Sequence, residues 1–88
     1  MPARVVTLAN RRGLHARASA KFVTLASELE ATTEVENDGN KVVGTSIMGL
    51  MMLGAAMGDE IRISAEGPGA DEALERLVAL VEGRFGED

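Results

Sequence analysis

Cysteine, tyrosine and tryptophan are absent from this chain, and phenylalanine occurs only at Phe22 and Phe85. Without a thiol there can be no disulfide, no thiolate metal site and no cysteine nucleophile. A single histidine, His15, offers no cluster of imidazole ligands either, so no metal and no cofactor is expected. Nucleic-acid binding needs a cationic face and stacking side chains, and a net charge of −5 with two aromatic residues supplies neither. No apolar run approaches the roughly 20 residues of a membrane span. The opening Met-Pro-Ala-Arg lacks the apolar core of a signal peptide. The chain therefore reads as a mature, cytoplasmic protein of one domain, residues 1–88, with no membrane partner.

Charge is unevenly spread. Arg4, Arg11, Arg12, Arg17 and Lys21 fall in the first quarter, whereas Asp71, Glu72, Glu75, Glu82, Glu87 and Asp88 weight the end. A local cationic patch can attract an anion or an acidic partner against the negative total.

Hydrophobic periodicity supplies the elements. Arg4 to Leu8 is rich in β-branched residues and reads as a first strand. From Ala16 to near Glu30, the apolar stripe Ser19, Phe22, Val23, Ala26 and Leu29 has helical spacing. Thr32–Glu36 and Lys41–Val43 flank Asn37-Asp38-Gly39-Asn40, where Asp-Gly supplies the positive φ of a tight hairpin. Ser46 to Leu53 is a short apolar helix with Thr45 or Ser46 as N-cap and Gly54 as a C-terminal stop. Glu60 to Glu66 alternates strictly, placing Ile61, Ile63 and Ala65 on one face. After Gly67-Pro68-Gly69 a last helix begins with Asp71 and Glu72 and turns Ala73, Leu74, Leu77, Val81 and Phe85 inward. The order β-α-β-β-α-β-α predicts an α+β fold, a two-layer open-faced sandwich whose four-stranded antiparallel sheet is covered on one face by three helices.

The chemistry converges on Asn10-Arg11-Arg12-Gly13-Leu14-His15-Ala16-Arg17, where the first strand gives way to the first helix. Helix N-termini leave backbone N–H groups without intrahelical partners and carry the positive end of the dipole, so they receive anions. An imidazole set there, with Arg12 and Arg17 on either side, could accept a phosphoryl group. By itself, one histidine in a polar turn is more often a solvated residue. Arg17 stands against the local dipole, which points to a role as phosphate clamp, and Ala16 would act through its backbone N–H.

Gly13-Leu14-His15-Ala16-Arg17 resembles the active-site signature of HPr, the histidine phosphocarrier family of the bacterial phosphoenolpyruvate-dependent phosphotransferase system. Thr45-Ser46-Ile47-Met48-Gly49-Leu50-Met51 resembles the family's regulatory-serine segment, and Thr45 follows His15 by the family's 30 positions. The likeness departs at Ala18, where the family usually has a proline that pre-sets the first helical turn. The resemblance implies a stoichiometric phosphoryl carrier, not an enzyme with a substrate pocket. His15 would accept the group through Nδ1 from phosphorylated enzyme I and pass it to enzyme IIA proteins. It also implies docking through Ile47, Met48 and Met51, and makes Ser46 the target of an HPr kinase/phosphorylase; Arg12 joins the partner-binding residues by its proximity to the anion site. The expected state is a monomer. The sugar-transport branch and the nitrogen-type (NPr) branch both stay open, and the rival reading is a regulatory interaction module of the same fold without phosphoryl relay.

Overall fold

Strand β4 (Glu60–Glu66) is the centre of the architecture, because its strict alternation gives it one apolar face and two edges free to pair. In the computed structural model, which describes residues 2–87, β4 lies between β1 (Ala3–Thr7) and β2 (Thr32–Asn37), and β2 pairs on its other edge with β3 (Asn40–Val43). All three pairings are antiparallel, giving the sheet order β1-β4-β2-β3. Val6 opposes Ile61, and Ile63 opposes Val35, so the apolar faces of three strands fall in register.

Helices α1 (Ala16–Ser27), α2 (Ile47–Met52) and α3 (Ala70–Glu82) cover that apolar face. Phe22 of α1 and Leu77 and Val81 of α3 are fully buried against Ile61, Ile63 and Val35. The opposite face carries Glu34, Glu36, Lys41, Arg62 and Ser64 and meets water, as an antiparallel sheet allows. This is the two-layer sandwich that the pattern predicts. Among the described residues no helix is long and apolar enough to cross a membrane.

Element edges differ from the sequence reading where local pattern runs out. β1 starts and ends one residue early: the Leu8 N–H still meets Asp59 O at 2.9 Å, but Leu8 O takes the N–H of Gly58 at 2.8 Å while the Asp59 N–H turns back to Ala56 O, which breaks the ladder. α1 stops at Ser27 rather than near Glu30, as the N–H groups of Glu28 and Leu29 reach back three residues in a tightened last turn. The hairpin turn is as expected, with Asp38 at φ 51° and Gly39 at φ 83°. Phe85 is buried, but not as part of the last helix. α3 ends at Glu82, and Arg84–Gly86 form a separate turn in which Arg84, Phe85 and Gly86 all have positive φ. Ala18, in the proline slot, is fully buried and α1 begins at Ala16 regardless.

Candidate functional site

The loop between β1 and α1 is shaped by Gly13. Its φ is +60°, and a Cβ built there would lie 2.3 Å from Ala55 O and 2.7 Å from Ala56 Cα. No other residue meets both the left-handed backbone and the close approach. The same approach lets Leu14 donate its N–H to Ala55 O at 3.0 Å, which ties the loop to the segment leaving α2. Ser19 Oγ donates to Leu14 O at 3.1 Å and fixes the loop to the first turn of α1.

His15 is the N-cap of α1, with extended backbone (φ −74°, ψ −179°). Its ring replaces the usual hydroxyl or carboxylate cap: Nδ1 accepts from the backbone N–H of Arg17 at 3.3 Å. Nε2 lies 2.7 Å from Glu87 Oε2. A backbone amide only donates and a carboxylate oxygen only accepts, so these two partners set the proton on Nε2 and leave a lone pair on Nδ1. The ring is 19% exposed, neither sunk in apolar packing nor free in water.

Glu87 was not singled out by sequence reasoning, nor was Asn10 as more than a turn residue. Asn10 is fully buried, and its Nδ2 donates both to Gly13 O at 2.8 Å and to Glu87 Oε1 at 3.1 Å. Its Oδ1 has no partner among the described residues. Partial burial pushes the Glu87 carboxyl up, but it is held below the usual glutamate value. Hydrogen bonds from Asn10 and His15, and the positive charges of His15 when protonated and of Arg17, favour the ionised form. The acidic weighting of the last residues was the available sequence signal, but it says nothing of which acid meets the imidazole.

Arg11, Arg12, His15, Arg17 and Glu87 line an open cleft of about 210 Å³. Arg12 and Arg17 therefore share one cavity with the imidazole, and Arg11 joins them. Ala16, the first helical residue, sits at the same N-terminus, where first-turn N–H groups lack intrahelical acceptors. Three arginines that line one cleft with the His15 ring at a helix N-terminus can receive a dianionic group and hold it by charge-assisted hydrogen bonds.

Ser46 is elsewhere. It caps α2, its Oγ accepting from the backbone N–H of Gly49 at 3.0 Å. Leu50 of that helix is fully buried, while Ile47 (40%), Met48 (68%) and Met51 (41%) are exposed. Met52, part of the apolar run but not of the expected docking set, and Met57, which sequence reasoning did not single out, are exposed as well, at 79% and 57%. α2 thus divides into a core side and an apolar surface, and the loop it feeds is hydrogen-bonded to the residue preceding His15.

Comparison with known proteins bears on the same residues. A family model described as the PTS HPr component phosphorylation site matches residues 3–83. The phosphocarrier protein HPr of Pseudomonas aeruginosa is 46% identical over 88 residues, covering 99% of this chain and 98% of that protein. The phosphocarrier protein NPr of Shewanella violacea is 42% identical over 84 residues, covering 96% of this chain and 92% of its own length. Among solved structures, the crystal structure of HPr-C-His from Thermoanaerobacter tengcongensis superposes with a TM-score of 0.95 at 43% identity, covering 100% of this chain and 99% of that one.

Proposed function

Because the chain belongs to the HPr family of phosphocarrier proteins of the phosphotransferase system, we propose that His15 Nδ1 is its phosphoryl acceptor, loaded by phosphorylated enzyme I and unloaded by enzyme IIA proteins. The observation that carries this reading is the pairing of the ring: Nδ1 faces the helix N-terminus with its lone pair, while Nε2 is occupied by Glu87. In the loading step the Nδ1 lone pair attacks phosphorus, the donor's P–N bond breaks, and the donor imidazole keeps that electron pair. Unloading is the same displacement run toward the acceptor's nucleophile. Arg17 clamps the transferring oxygens, and the Ala16 N–H points its dipole at them. Arg12 adds charge at the rim, where it favours approach of acidic partners.

Docking is assigned to Ile47, Met48 and Met51, because exposed methionine on a short helix suits a surface that must fit several partners. Ser46 is proposed as a control point for an HPr kinase/phosphorylase. A phosphate on its Oγ would still offer oxygens to the Gly49 N–H, so α2 stays capped, but about two negative charges would stand beside the docking surface. The carrier domain is taken as residues 1–88, acting in the cytoplasm as a monomer.

Incubation with phosphoenolpyruvate and enzyme I, read by intact mass, tests the reading. Addition of one acid-labile phosphoryl group to the wild type and none to His15→Ala is expected. A chain that binds enzyme I and takes no phosphoryl group is instead an interaction module of this fold.

A further inference from the structure

The turn after α3 holds an unusual conformation. Arg84 (φ 59°) and Phe85 (φ 54°) are left-handed without being glycine, and Gly86 (φ 73°) continues the run. L side chains rarely adopt that region, so each of the two non-glycine residues is strained there. Burial of Phe85 and a bond from Lys21 Nζ to Phe85 O pin the turn to α1. What the turn delivers is the Glu87 carboxylate, whose two oxygens are divided between Asn10 Nδ2 and His15 Nε2.

We infer that Glu87, oriented by Asn10, is a positioning residue that holds the proton of His15 on Nε2, so that Nδ1 is the only ring nitrogen able to attack phosphorus. This rests on the phosphocarrier reading of His15. Asn10 cannot reverse its amide to suit another partner without giving up the bond to Gly13 O at 2.8 Å, so it always presents N–H to residue 87. The proton on Nε2 takes no part in the transfer and stays in place throughout. As Nδ1 bonds phosphorus the ring becomes cationic, and the carboxylate lies against that charge, as the acid of a catalytic triad does against its imidazole. When the P–Nδ1 bond breaks on unloading, the ring departs as the neutral imidazole from which it started.

Two substitutions at one position separate this role from mere packing. In Glu87→Gln the Asn10 N–H claims the amide oxygen, and the amide NH2 is turned toward His15 Nε2. A donor there competes with the Arg17 N–H for the ring's one lone pair and draws the proton toward Nδ1, which blocks the nucleophile in that fraction. Glu87→Ala leaves Nε2 unpartnered, with the Arg17 N–H at Nδ1 as the ring's remaining hydrogen bond, so the hold on the Nε2 proton weakens and both tautomers are populated. Labelling the protein with 15N-histidine gives an unambiguous readout, since His15 is the only histidine. Recorded in alkaline buffer, the wild type is expected to show protonated Nε2, Glu87→Gln a shift toward protonated Nδ1, and Glu87→Ala a mixture. The kcat/KM for loading by enzyme I should fall about ten- to a hundredfold in Glu87→Gln, the range of a lost hydrogen bond to a charged group, and by less in Glu87→Ala. An unchanged tautomer in Glu87→Gln overturns the inference, as does a larger loss of rate in Glu87→Ala. A wild type that takes no phosphoryl group while its Nε2 is protonated and its Gln variant shifts would sink the phosphocarrier reading instead, leaving the hold of Glu87 on the ring established.

Discussion

His15 is held between two partners of opposite kind, an amide that can only give a hydrogen bond and a carboxylate that can only receive one. That asymmetry makes its two nitrogens chemically distinct before any substrate arrives. The amide partner follows from the sequence, because any residue opening a helix faces free N–H groups. The carboxylate does not, since 72 positions separate His15 from Glu87 and no local rule links them. The pair also has a consequence for acid stability. Glu87 ionises below the 4.5 of an ordinary glutamate, so its contribution is fully present above that value and is lost as pH falls through the lower folded value. A carboxyl titration followed by NMR should place the Glu87 midpoint below 4.5. The difference in urea midpoint between wild type and Glu87→Ala should be complete at neutral pH and shrink to nothing in strong acid.

At the scale of elements, most of the architecture was legible because each segment repeats its own period. Glu60–Glu66 alternates, and its observed bounds are the expected ones. Asp38-Gly39 allows a two-residue turn of positive φ, and the strands on either side pair through it. The last turn was not legible. Phe85 fits the inward stripe of α3, and nothing in Gly83-Arg84-Phe85-Gly86 announces that Arg84 and Phe85 leave the right-handed region. The β1–α1 loop depends on Gly13, whose replacement meets both a positive φ and the Ala55 carbonyl. Gly13→Ala should cost about 2 kcal/mol or more in urea unfolding and displace the His15 ring from its Glu87 contact, visible as a changed ring 15N shift. At α2, Ser46→Ala should lose about 1 kcal/mol of stability with the cap. Ser46→Asp keeps an acceptor for the Gly49 N–H and should retain wild-type stability while slowing transfer from enzyme I.

Taken whole, the molecule is acidic, with net charge −5, yet it gathers Arg11, Arg12 and Arg17 around one imidazole. Its helices cover one face of the sheet, so the His15 ring and the exposed methionines of α2 belong to the same layer. Docking and chemistry can then be disturbed separately. Met48 is 68% exposed, so Met48→Asp should change stability by no more than about 0.5 kcal/mol while raising the KM for loading by enzyme I. An unaltered KM would remove Met48 from the docking surface. The proposed relay turns on which atom receives the phosphoryl group. The 15N and 31P spectra of the phosphorylated protein, labelled at its only histidine, identify that atom directly. Coupling of phosphorus to Nδ1, with hydrogen retained on Nε2, is the expected result. Phosphorus on Nε2, or on no histidine nitrogen at all, would contradict it.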